Sequence, residues 1–109
     1  MGKIKVHKKL VRDKIPEIIK ASNAVAMTRL LSDDEYRKEL LKKLVEEANE
    51  LLESDGSLDE RADVAEVLRA IDTLFGYGTD VVEQARAKKA QERGGFDKRI
   101  FLESTEENT

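Results

Sequence analysis

The sequence predicts a mostly α-helical fold built around an antiparallel helical hairpin. Three observations predict it. "SDDE" at 32–35 and "SLDE" at 57–60 each have the form of a capping box, in which a serine caps the first turn and an acid three residues on reaches back to it. Behind each box runs a stripe of apolar residues at helical spacing. Between the two stripes lies "SDGS", 54–57, a composition that breaks helices and reverses chains.

Taken in order, residues 1–11 alternate only weakly and read as extended or loose. "KIPEIIKAS", 14–22, predicts a short helix with Pro16 in its first turn, where a missing N–H costs nothing; Asp13 is placed to cap it. "AVAMTRLL", 24–31, is apolar between turn-prone residues and reads as a short strand or extended arm. Ser32 opens a helix to about Leu52 or Glu53, with Leu40, Leu41, Leu44, Val45, Ala48, Leu51 and Leu52 as its stripe. Ser57 opens the next, to about Phe75, with Val64, Val67, Leu68, Ile71, Leu74 and Phe75. "GYG", 76–78, ends it. Thr79 is placed to cap a last helix through Arg93, which Gly94-Gly95 stop. "FDKRIFLE", 96–103, alternates enough for a small terminal strand. The whole, 1–109, reads as a single domain with one or two short strands, and with 1–8 and 103–109 flexible.

Bulk composition narrows the function. Charged residues make up 39% and hydrophobic residues 39%, which leaves little apolar material for a core and favours association with a second copy. No window approaches the apolar length of a membrane-spanning helix, and "MGKIKVHKKL" lacks the apolar run of a signal peptide; a cytoplasmic protein with no membrane partner is expected. The chain has 20 basic and 23 acidic residues, a net charge of −3, so no overall field attracts duplex nucleic acid. Cysteine is absent and His7 is the sole histidine, which excludes disulfides and thiolate metal sites.

The acids of the hairpin stand out. About a midpoint near Asp55, Glu50 matches Glu60 in height and Glu47 matches Asp63. In each helix the two acids are three apart and share a face. Glu60 falls within the apolar stripe of its helix and Asp63 at the edge, while Glu47 borders its own stripe and Glu46 points further out. Two like charges about 4 Å apart repel by roughly 4 kcal/mol at an effective dielectric near 20, so such a cluster calls for protons or a cation. With oxygen ligands alone on offer, a hard divalent ion suits it. The pattern equally admits a plainer origin: Glu60 as a capping acid, and Glu47 and Glu50 as exposed acids paired with Lys43 or solvent.

Glu46-Glu47-x-x-Glu50 followed by Glu60-x-x-Asp63 resembles the EExxE…ExxD signature of the MazG-like, all-α nucleotide pyrophosphohydrolases. "KLVRDKIPEII" (9–19), "LDERADVAEVLRAI" (58–71) and "KKAQERGGFDKRIFL" (88–102) resemble, in order, segments of a short subgroup often grouped with phosphoribosyl-ATP pyrophosphohydrolase. The resemblance runs from about residue 9 to 102. The nine residues between Glu50 and Glu60 are fewer than in longer MazG proteins, which puts any loop-borne substrate contact in doubt and leaves the two layers of acids aligned.

The resemblance implies an all-α NTP pyrophosphatase fold and Mg²⁺-dependent hydrolysis of a nucleoside triphosphate between its α and β phosphates. It further implies a homo-oligomer, dimer or tetramer, with active sites near subunit interfaces. Glu47, Glu50, Glu60 and Asp63 become metal ligands. Glu46 becomes an outer-shell acid or the group orienting the attacking water, and Glu47 stands beside it as a catalytic candidate. Mg²⁺ takes only one or two protein carboxylates as a rule, so four acids suggest more than one ion, and Mn²⁺ as a substitute. Arg12, Lys14, Lys89, Arg93 and Lys98 are the candidate phosphate contacts, with Gly94-Gly95 allowing close backbone approach; solvated surface cations and a helix stop are the simpler account of each. Glu66 is expected to pair with Arg69 on the surface.

Overall fold

A computed structural model describes residues 2–108, which form four helices and, among the described residues, no strand. They are α1 (Ile15–Ala21), α2 (Asp33–Glu53), α3 (Leu58–Phe75) and α4 (Thr79–Arg93). The chain divides into two compact units. One ends at Gly76 and holds α1, α2 and α3; the other starts at Tyr77 and holds α4.

Local chemistry sets the ends of α2. Ser32 Oγ accepts from the Glu35 amide and the Glu35 carboxylate accepts from the Ser32 amide, completing the box. At the far end the Gly56 amide reaches the Leu51 carbonyl and the Asp55 amide reaches Leu52. This is a Schellman ending, which places left-handed backbone at Asp55 (φ 57°), and Gly56 continues the turn at φ 84°. Glycine takes that conformation without strain. Ser54 Oγ then accepts from the Ser57 amide, so the turn feeds directly into the cap of α3.

α3 begins with half a capping box. Ser57 Oγ accepts from the Glu60 amide, but the Ser57 amide is taken by Ser54, and the Glu60 side chain is left for other work. Gly76, left-handed at φ 73°, ends the helix. α1 starts after Lys14 with no side-chain cap, so Asp13 does not take that role. In α4 the cap position falls to Gly78, in extended backbone, and Thr79 is already helical.

α2 and α3 pack on each other and carry the core of the first unit. That core is thin. Leu40 and Val67 are its buried hydrophobic residues, with Leu44, Leu51, Val64, Ile71 and Leu74 half-buried around them. Leu41, Val45, Leu52 and Leu68 belong to the same stripes and remain exposed. The stripes are wider than one partner helix covers.

Of the one or two short strands expected, none forms among the described residues, and 24–31 takes the arm rather than the strand reading. Residues 24–31 run without regular structure, and Val25, Met27 and Leu30 are almost fully exposed. In 96–103 the Arg99 amide closes a turn onto the Phe96 carbonyl, with Arg99 at φ 59°. A strand is stable only when its amides and carbonyls meet another strand, and neither segment has such an edge among the described residues. None of the helices is long and apolar enough to cross a membrane.

Candidate metal centre

The hairpin brings Glu47, Glu50, Glu60 and Asp63 together. Each offers one carboxylate oxygen such that all four lie within 4.8 Å of one another. Two acids from α2 thus meet two from α3.

Burial is uneven. Glu47 is 7% exposed and the other three are half-buried. Glu47 Oε2 and Glu60 Oε2 are buried with no hydrogen-bond partner. For Glu60 the cause is visible in the helix cap, since the amide that a full capping box would offer is already bonded to Ser54. Burial pushes the Glu47 carboxyl above the ordinary glutamate range, the neighbouring Glu50 carboxyl pushes it further, and Lys43 opposes both. A buried carboxylate oxygen without a partner is costly. Two in one cluster are an arrangement that a cation would relieve.

Basic side chains partly offset the charge. Lys43 Nζ lies 3.4 Å from Glu47 Oε1 and 3.3 Å from Glu46 Oε1. Arg12 Nη2 donates to Asp63 Oδ1 at 2.6 Å, and Lys9 Nζ stands 4.0 Å from Glu46 Oε1. Glu46 is therefore outside the cluster of four and held by lysines. Of the candidate phosphate contacts, Arg12 touches the cluster directly. Lys14 is exposed at the start of α1. Lys89, Arg93 and Lys98 are exposed residues of the second unit. Glu66 pairs with Arg69 at 2.9 Å, as a surface pair. Sequence spacing gave no hint of Lys9, or of the Arg12–Asp63 pair, because no periodic pattern links residues 51 positions apart.

The arrangement defines a helical hairpin with a four-carboxylate cluster able to hold a hard cation. Comparison with known proteins adds little chemistry. No family model matches the chain, and no solved structure matches it. A stretch of 46 residues is 54% identical to an uncharacterised protein of Mycolicibacterium smegmatis, covering 42% of this chain. The match spans 47% of that relative, about half its length.

Proposed function

We propose that this chain is a Mg²⁺-dependent nucleotide pyrophosphohydrolase of the MazG-like type, converting a nucleoside triphosphate to its monophosphate and pyrophosphate as a cytoplasmic house-cleaning enzyme. The observation that carries this reading is the convergence of Glu47, Glu50, Glu60 and Asp63 within 4.8 Å, with buried, unpartnered oxygens on Glu47 and Glu60.

The donor set fits the metal. All four donors are carboxylate oxygens, which suit Mg²⁺ or Mn²⁺, and the orphaned oxygens supply the electrostatic demand. When bound, the ion would reverse the local charge and draw electron density from the phosphates. The protein's own part is to hold the four oxygens on two packed helices and to exclude water around Glu47. Glu46, whose Oε1 is fixed by Lys43, is assigned to orient the attacking water. Arg12, which already touches Asp63, and Lys14 are assigned to the phosphates.

Self-association belongs to the same reading. A core in which Leu40 and Val67 are, among the described residues, the only buried hydrophobic residues is small for an independent fold. The exposed Leu41, Val45, Leu52 and Leu68 give a second copy an apolar face to cover.

The test is a panel of nucleoside triphosphates, together with phosphoribosyl-ATP, incubated with purified protein and Mg²⁺. Pyrophosphate release that disappears in Glu47→Gln and Asp63→Asn supports the proposal. Turnover confined to phosphoribosyl-ATP moves the assignment to that hydrolase. No turnover of any nucleotide leaves a helical interaction module and overturns the enzymatic reading.

A further inference from the structure

The four clustered acids have unequal access to counter-charge. Glu47 has Lys43 on its own helix, one turn away. Asp63 has Arg12, which comes from the segment ahead of α1 and makes the shortest contact to the cluster, 2.6 Å. Three residues earlier the same segment brings Lys9 near Glu46. Lys9 and Arg12 thus meet acids on both α2 and α3 from a stretch without helix or strand.

A guanidinium does not lose its proton in a protein. It therefore cannot withdraw its charge when another cation arrives. A divalent ion among the four carboxylates would share Asp63 with Arg12, and the two positive groups would repel at close range. The Arg12 side chain is 56% exposed, so it has room to swing away.

We propose that Arg12 is a built-in counter-ion of the acid cluster, which competes with the divalent cation for Asp63. It holds the hairpin's acids together before the metal binds and gives up Asp63 to the metal. The displaced guanidinium is then free to meet an anionic substrate at the same place. This inference rests on the metal-centre reading above.

The experiment is a calorimetric titration of Mn²⁺ into the wild-type chain, Arg12→Gln, Arg12→Lys and Glu47→Gln. Arg12→Gln is expected to bind Mn²⁺ about fivefold more tightly than wild type, the scale of a partly exposed ion pair. Arg12→Lys keeps the charge and is expected to stay near the wild-type affinity. Glu47→Gln is expected to lose binding. If wild type binds and Glu47→Gln does not, yet Arg12→Gln binds equally or more weakly, Arg12 orients Asp63 rather than competing for it, and this inference alone falls. If wild type does not bind Mn²⁺, or Glu47→Gln binds as well as wild type, the metal centre falls and the counter-ion role falls with it.

Discussion

Lys43 Nζ lies 3.4 Å from Glu47 Oε1, one helical turn back along α2, while Glu47 Oε2 is buried without a partner. One end of the carboxylate is thus compensated and the other is not. A buried oxygen left in this way is a source of instability, and a bound cation would remove it.

The first consequence concerns pH. The folded Glu47 carboxyl holds its proton more tightly than the unfolded one, chiefly through burial. The folded state then binds more protons than the unfolded state in the window between the two values. Its stability is full below the ordinary glutamate range and falls as pH rises through the shifted one. Glu47→Gln has no such loss. At neutral pH and without metal, it should be more stable than wild type by about 1 kcal/mol, and the difference should vanish in acid. Thermal melts of both proteins across pH check this.

Metal addition should stabilise in turn. At a hundred times the dissociation constant, Mg²⁺ or Mn²⁺ should add about 2.7 kcal/mol. The gain should reverse with chelator and be lost in Glu60→Gln, which melting with and without metal would show.

A second pH effect has the opposite sign. Arg29 donates to Glu35, and Ser32 adds further hydrogen bonds, so the Glu35 carboxyl is held down at about 2. Its contribution is present above the ordinary glutamate value and is lost as pH falls towards the lowered one. The Glu35 side chain is 45% exposed, so salt should weaken the effect. Acid titrations of Glu35→Gln and wild type, at low and high salt, should show a shallower acid limb in the variant, with the gap narrowing in salt.

The turn gives a backbone prediction. Gly56 sits at φ +84° with open space where a side chain would go. Gly56→Ala should therefore cost about 1 kcal/mol through conformation alone, read as a lower denaturation midpoint with an unchanged denaturant slope.

The hairpin was legible because its signals are local. Ser32, Ser57 and the "SDGS" turn lie within a few residues of the ends they set, and α2 and α3 end where those residues place them. Once the turn was fixed, so were the heights of Glu47, Glu50, Glu60 and Asp63. What escaped depended on distant or competing partners. Ser54 captures the Ser57 amide, and so the second box forms only in part. The apolar run 24–31 and the alternating segment 96–103 find no strand to pair with among the described residues. Arg12 reaches Asp63 across the fold, and nothing in the spacing announces it.

The central claim is that four carboxylates from two helices hold a divalent cation. Anomalous diffraction from crystals grown with Mn²⁺ tests it most directly. The account predicts an anomalous peak between Glu47, Glu50, Glu60 and Asp63, absent in Glu47→Gln. Ordered carboxylates with no peak among them, or a peak elsewhere on the chain alone, would contradict it.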